Sequence, residues 1–567
     1  MFKWNEDNIV DATCGRKVGC CNSICSSNIS TDTRDIKKCD LFIALKGKSF
    51  NGHDFLHEAF LKGAVAAIVS EDTYKDLPII VVEDTLKALH DMASYYIRNV
   101  LGSAKVIAIT GSVGKTTTKD ILHTVLSQYG ISHVNDGNLN NNIGLPLTVL
   151  KAPEDCQYLI LEMGMNRAGE IKELSKISNP DIAVITNIEP AHTENFSSLF
   201  DIAQAKLEVL YGMKSNGTLI LNKDSEYYEY LSSHSDRNVV NFGKDESATV
   251  CLLDLIPVVK SSVIPAPPGV IRVADTGIQE KRNMDPSSQA TWTTEGNAVD
   301  LLSASFQHVT LESKKKERWI PVSSTGMTPG GTRMTPGITG MTPGITGMTP
   351  GATGMTPWDA GMTPHRADKG LSLKIRVNND QIINCNLSVQ GEQFAYSVLA
   401  VAAVVQSLGL NLSKLPLALE NFNVTKGRGN THKIAYKGKH VCLIDDSYNA
   451  SPASMKAAIK TLGTYHSQRK VALLGDMLEL GCESIKFHTE LLEIIIDHNI
   501  DKVYTVGKFM LALHNLLPSN IKGIHFDDSH QLKNNLNDVI QDNDVVLIKG
   551  SRGMKMDVVV QKFIMED

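Results

Sequence analysis

Short apolar runs bounded by polar or turn residues alternate with stretches of helical spacing along most of the chain. In the first hundred residues "DLFIAL", "GAVAAIVSED" and "PIIVVED" read as strands and "TLKALHDMASYYIRNV" as an amphipathic helix, which predicts a small α/β domain. A second series starts at Val106. Its runs "VIAIT", "YLILEMG", "DIAVITNI" and "GTLILN" are apolar throughout, as strands covered on both faces of a mostly parallel sheet must be. A third series, "HVCLIDD", "KVALLGD", "DKVYTVG" and "DVVLIKG", is separated by helix-length stretches such as "SIKFHTELLEIIIDHN" and predicts a doubly wound, Rossmann-like unit. The expected fold is α/β in three domains, 1–98, 99–426 and 427–567.

The pattern fails between 246 and 370, inside the second domain. From Met327 a heptad recurs six times, from "MTPGGTR" through "MTPGITG" to "MTPHRAD". Proline removes backbone donors, glycine raises the entropy lost on ordering, and the period matches neither a helix stripe nor a solenoid repeat. A low-complexity, disordered insert is expected there, with "ESKKKERW" ahead of the repeats as a solvated face.

Composition narrows the function. The 567 residues are 42% hydrophobic and 21% charged with a net charge of -6, which leaves no basic footprint for nucleic acid. The N-terminal stretch "MFKWNEDNIVDATCGRK" lacks a signal-peptide h-region, and no run approaches the roughly 18 apolar residues of a membrane span. A cytoplasmic chain is expected. The cluster Cys14, Cys20, Cys21 and Cys25 contains no C-x2-C pair and reads as plain thiols.

One motif carries chemistry by itself. In "VIAITGSVGKTTTKDIL" an apolar strand runs through a glycine loop into a helix, so that backbone N–H groups and the positive helix end can cradle a phosphate. Lys115 can then reach the β- and γ-phosphates, and Thr116 can offer its hydroxyl to a magnesium ion. Ile109 stands where the longer Walker pattern has glycine, so this is the short T-G-x-x-G-K-T-T form. Glu162 ends the strand "YLILEMG", where it either caps a helix or faces that ion. His192, in "EPAHTENF" after the next strand, is either a structural histidine or a further ligand, and Lys206 lies on the helix "FDIAQAKLEVL".

Taken in order, "TGSVGKTT", "GNLNNNIGLP", "LEMGMNRAGEI", "TNIEPAHTENF", "IAQAKLEVL", "IDDSYNASPASM", "LLGDMLELG" and "VLIKGSRGMKM" resemble the Mur ligases over the whole chain except roughly 246–370. The resemblance implies three domains: an N-terminal domain that holds a nucleotide-sugar peptide, a P-loop central domain for ATP, and a C-terminal domain that closes over both on a hinge near residues 425 to 430. "DDSYNASPASM" and "KGSRGMKM" are similar to the dipeptide-adding members, which implies joining D-alanyl-D-alanine to UDP-N-acetylmuramoyl-tripeptide through an acyl phosphate, in peptidoglycan precursor synthesis; a monomer is expected, though the sequence leaves the oligomeric state open. It also implies residue roles. ATP would be met by Gly111, Ser112, Val113, Gly114, Lys115, Thr116 and Thr117, and by Arg428 and Asp446 on closure. Two Mg2+ ions would be held by Thr116, Glu162, His192 and a carbamylated Lys206, with Lys115, Lys206, Glu162 and His192 as the catalytic set. Substrate contacts would come from Thr33, Arg34, Asn140 and Asn141, and from Asn449, Lys549, Ser551 and Arg552 in the last domain.

The chain departs from the family's G-x-H-N-x-x-N helix start near the adenine, where "GEQFAYS" places Gln393 and Ser397. Two other readings use the same residues. A catalytically lapsed relative would bind nucleotide or muropeptide as a scaffold without forming an amide. A folylpolyglutamate-type ligase would share the P-loop but does not explain "DDSYNASPASM" or "GHDF".

Overall fold

The computed structural model describes residues 2–19, 24–47, 50–72, 76–190, 193–259, 369–378, 380–465 and 468–566. Three larger sheets organise them. The first has five strands in the order Arg16–Val18, Ile79–Val81, Ala66–Val69, Asp40–Ile43, Asn28–Ser30, parallel except at the Arg16–Val18 edge. Asp40–Ile43 and Ala66–Val69 are buried at every position, as their apolar runs require. The predicted helix spans Thr85–Asn99 and is capped by Asp84, whose carboxylate accepts from the amides of Leu86 and Lys87.

That helix ends the first domain in sequence but not in packing. It lies against helices Gly144–Leu150 and Glu170–Ser178 of the second domain. The Tyr96 hydroxyl donates to the Ala152 carbonyl at 2.8 Å, and His90 Nε2 sits 2.6 Å from the Asn142 carbonyl oxygen. Leu41, Ile68 and Met92 consequently share one apolar cluster with Leu161, Leu174 and Ile185.

The second sheet has nine strands, in the order Gln381–Leu387, Lys369–Val377, Val250–Val259, Asn238–Gly243, Thr218–Asn222, Ile182–Ile185, Lys105–Thr110, Tyr158–Glu162, Ser132–Val134. From Val250–Val259 to Ser132–Val134 every pairing is parallel, and the two pairings at the other end are antiparallel. This end corrects the insert expected from residue 246. Val250–Val259 is a strand, bulged between Leu252 and Asp254, which pairs with Lys369–Val377 from beyond the repeats. Its partner is remote in sequence, and Pro257 within it argues against a strand, so local pattern did not reveal it. The repeats from Met327 and "ESKKKERW" lie outside the described residues. Helix Gln393–Ser407 is apolar on nearly all sides because it is buried, packing on the helix Lys115–Leu126 that follows the glycine loop.

The third sheet has six strands, in the order Asn430–Tyr436, Lys439–Asp446, Asp544–Lys549, Lys470–Gly475, Lys502–Val506, Lys522–Phe526. Only its first pairing is antiparallel. The stretch read as one helix, "SIKFHTELLEIIIDHN", forms two, Ser484–Thr489 and Leu491–Asp497. The segment joining this sheet to the second contains Gly427 at φ +79° and Gly429 at φ +93°, backbone values that an L side chain rarely adopts. Thr425 Oγ1 there donates to the Asp120 carboxylate on helix Lys115–Leu126.

Candidate active site

The site begins where strand Lys105–Thr110 ends. Gly111 takes φ +146°, and a Cβ there would stand 1.9 Å from Thr186 Oγ1, so only glycine fits. The loop is then pinned from the neighbouring strand end. Ser112 N donates to the Asn187 carbonyl at 3.0 Å, Val113 N to Asn187 Oδ1 at 2.9 Å, and the Thr186 hydroxyl to the Val113 carbonyl at 2.6 Å. The amides of Ser112 and Val113, expected to face phosphate, are engaged by Asn187, and the first turn of helix Lys115–Leu126 offers further N–H groups without intrahelical acceptors.

Lys115 opens that helix and folds back on its own loop, donating to the Gly111 and Ser112 carbonyls at 2.8 and 3.2 Å. Burial pushes its pKa down; Glu162 nearby pulls it up and Arg428 pushes it further down. Carbonyl dipoles are weak partners for an ammonium, so a polyphosphate entering the loop can displace them.

Glu162 ends strand Tyr158–Glu162 and is 3% exposed. Asn140 Nδ2 donates to its Oε1 at 2.8 Å, and the buried Asn135 exchanges two hydrogen bonds with its backbone, at 2.6 and 3.2 Å. Its other oxygen, Oε2, is buried with no hydrogen-bond partner among the described residues. An orphaned carboxylate oxygen suits a hard divalent cation, and Thr116 offers a hydroxyl on the adjoining helix turn, so the donors present fit Mg2+. His192 lies outside the described residues. Lys206, on helix Leu199–Leu207, is 3% exposed, and its amine has no hydrogen bond among the described residues. Burial, and after it the Lys115 charge, holds its pKa well below the lysine range.

From the segment joining the second and third sheets Arg428 reaches the helix that follows the loop, with Nη2 donating to Thr116 Oγ1 at 3.2 Å. Asp446 ends strand Lys439–Asp446 and accepts from Lys549 Nζ at 2.7 Å. Burial raises the Asp446 carboxyl above its usual range, with Lys549 and Arg428 pulling the other way. Between the second and third sheets lies a cleft of about 990 Å3 lined by Glu189, Gln393 and Tyr396 on one side and Lys456, Lys460 and Thr461 on the other.

Comparison with known proteins places this arrangement. Residues 26–97 match the model for "Mur ligase family, catalytic domain", 109–263 that for "Mur ligase middle domain", and 431–552 that for "Mur ligase, glutamate ligase domain". The chain is 30% identical over 549 residues to the UDP-N-acetylmuramoyl-tripeptide–D-alanyl-D-alanine ligase of Rickettsia prowazekii, covering 96% of each protein. The chain belongs to the Mur ligase family. The Bacillus subtilis enzyme of the same name is 31% identical, over 94% of this chain and 93% of its own length. Among solved structures, MurF from Acinetobacter baumannii matches with a TM-score of 0.74 at 23% identity, over 100% of this chain and 99% of that one. MurF of Thermotoga maritima in complex with ADP matches with a TM-score of 0.67 at 24% identity, over 95% and 97%.

In this Mur ligase several residues expected to meet substrate also make hydrogen bonds within the fold. Asn141 Oδ1 accepts from the amides of Ile143 and Gly144 at 3.1 and 2.8 Å, at the start of helix Gly144–Leu150, and Asn140 orients Glu162. Ser551 is buried, donating to the Ala450 carbonyl at 3.3 Å and accepting from Leu478 N at 2.9 Å. The Asn449 side chain accepts from Ala450 N at 2.9 Å, while its carbonyl accepts from Lys549 at 2.9 Å. Arg552 remains exposed, 3.5 Å from Asp557. In the first domain the Thr33 carbonyl accepts from Lys62, and Arg34 is exposed and forks onto Asp32, holding that carboxyl down at about 2. Thr33 and Arg34 thus stand on the first sheet's domain, between strands Asn28–Ser30 and Asp40–Ile43.

Ser397 also has a partner within the fold. Its hydroxyl accepts from Thr118 Oγ1 at 3.2 Å beneath the P-loop helix, leaving Gln393 as the member of that pair which lines the cleft. Asn187 and Asn135 were missed. Asn187 follows a strand end as closely as Glu162 does, so the same rule could have found it, whereas Asn135 shows its purpose only through its partners.

Proposed function

We propose that this Mur ligase is the ATP-dependent amide ligase that joins D-alanyl-D-alanine to UDP-N-acetylmuramoyl-tripeptide, acting in the cytoplasm as a monomer. The observation that carries the reading is the match across 96% of the chain to an enzyme of that name, with Lys115 and Glu162 in the loop and strand-end positions the chemistry needs. Among the described residues no helix is long and apolar enough to cross a membrane.

A carboxylate and an amine form a salt at neutral pH, because the carboxylate oxygen is a poor leaving group. The terminal carboxylate of the tripeptide therefore first attacks the γ-phosphorus of ATP, and the bond to the bridging oxygen breaks to release ADP. Lys115 moves from its loop carbonyls onto the phosphates and offsets charge on the transferring group. Arg428 adds a second positive charge at Thr116 from the segment that joins the second and third sheets. The dipeptide amine then attacks the acyl carbon, phosphate leaves, and the nitrogen gives up its proton. The acyl phosphate formed in the first step hydrolyses readily, so closure about residues 425–430 is part of the chemistry.

Mg2+ would be held by Thr116, Glu162, His192 and Lys206, and when bound it supplies Lewis-acid neutralisation of the phosphate oxygens. Lys206 fits as a carbamate. Its neutral buried amine can add to carbon dioxide with loss of one proton, which turns a cation-forming side chain into an anion.

Phosphate release with ATP, UDP-N-acetylmuramoyl-tripeptide and D-alanyl-D-alanine, each omitted in turn, tests the reading. Release that needs all three, with amide formed in equal amount, is expected. Nucleotide binding without amide would replace it with the lapsed scaffold, and a preference for folate and glutamate with the folylpolyglutamate-type ligase.

A further inference from the structure

Arg428 brings positive charge to the P-loop helix from the segment joining the second and third sheets, yet its guanidinium has few polar partners. Nη2 makes the 3.2 Å contact to Thr116, and Nε is buried with no hydrogen-bond partner among the described residues. Asp446, the carboxylate that feels its charge, is already paired with Lys549. What the guanidinium does have is an aromatic face: its Cζ lies 4.2 Å from the ring centroid of Tyr448. A long side chain held by one hydrogen bond samples many rotamers, whereas stacking on a ring confines the planar group and attracts its charge.

The backbone is laced to make this stack. Tyr448 N donates to the Gly427 carbonyl at 3.0 Å and Gly429 N to the Asp445 carbonyl at 2.7 Å, so the segments carrying the arginine and the tyrosine are bonded on both sides of the pair. Gly427 permits the approach, since a Cβ there would stand 3.1 Å from Tyr448 Cβ. A second guanidinium, that of Arg552, lies 5.5 Å from the same ring centroid.

We propose that Tyr448 is a positioning residue whose ring face holds the Arg428 guanidinium against Thr116, so that this charge is in place when the nucleotide enters. The proposal deepens the ligase reading and rests on it for the identity of the nucleotide. The phenol hydroxyl has no part in it.

The test uses the full chain and two readouts: ligation kinetics with ATP varied, and direct ADP binding by calorimetry. Tyr448→Leu should raise the KM for ATP and weaken ADP binding about tenfold, with the KM for D-alanyl-D-alanine changed less than about twofold. Tyr448→Phe, which keeps the ring, should stay within about twofold of the wild type in both. In an Arg428→Ala background, Tyr448→Leu should add less than about twofold, because the group it positions is gone. A phenylalanine variant as impaired as the leucine variant, additive effects in the double variant, or a KM change confined to the dipeptide would overturn the proposal. If the leucine variant does not fold, Tyr448→Met takes its place and the same comparisons decide. Should the wild type bind ADP but form no amide, the ligase reading fails, and the binding series still decides the role of Tyr448.

Discussion

Lys115 and Lys206 show how differently the fold surrounds two buried residues of one type. Lys115 has loop carbonyls as partners and Glu162 nearby to favour its charge; Lys206 has no hydrogen bond among the described residues and a second lysine close enough to repel it. Lys115→Ala should therefore reduce ligation more than tenfold, about 1.4 kcal/mol or more of transition-state stabilisation, with the circular dichroism spectrum unchanged. Retention of over a tenth of the wild-type rate would remove Lys115 from the γ-phosphate. For Lys206 the sign with pH follows from its depressed native pKa. Between that value and the ordinary lysine value the unfolded chain binds a proton the native chain does not, so stability rises with pH across the window and is least below it. In carbon dioxide-free buffer, Lys206→Met should thus be inactive yet melt higher than the wild type near neutrality, with the gap closing as pH approaches the lysine range. Lys206→Ala should recover partly with short carboxylic acids, and wild-type turnover should slow when bicarbonate is removed. A rate indifferent to bicarbonate together with no rescue would rule out the carbamate.

At the scale of elements, the P-loop depends on strand ends beside it as much as on its own glycines. Asn187, just past strand Ile182–Ile185, spends its carbonyl and its side-chain oxygen on the amides of Ser112 and Val113. Asn187→Ala should free the Val113 amide and loosen the loop, raising the KM for ATP roughly tenfold while costing about 1 kcal/mol of stability, measurable by calorimetry and urea unfolding. The motif was legible in sequence because the strand, the glycine loop and the helix are consecutive. Glu162 was legible as a polar residue ending an apolar run. The role of Ser397 was not, because its partner Thr118 is 279 residues away and a serine in a helix gives no local sign of what it will touch. The bonds that Asn140 and Asn141 make were hidden for a similar reason: an asparagine that orients a carboxylate, or one that caps a helix, looks the same in sequence as one awaiting a ligand.

Over the whole molecule, the domain limits drawn from the pattern do not all coincide with its cores. Helix Thr85–Asn99 buries Leu89, Met92 and Ala93 in a cluster that includes Leu145, Leu161 and Leu174 of the second domain, whereas the third sheet has apolar clusters of its own on its two faces. Calorimetry should accordingly resolve two unfolding transitions, one for the first and second domains together and one for residues 427–566. Tyr96→Phe, which removes the bond to Ala152, should lower the first by about 2–4 °C and leave the second unmoved. Independent melting of the first domain would contradict the shared core. What the sequence determined by itself was set by neighbours along the chain: most of the strands, where the phosphate loop lies, and that three α/β units follow one another. Tertiary structure alone decided that Val250–Val259 pairs with Lys369–Val377, that Arg428 rests on Tyr448, and that Asn140 serves Glu162. Periodicity and turn chemistry record the conformation of consecutive residues, but a hydrogen-bond partner or a stacked ring is chosen by which strand ends the fold brings side by side.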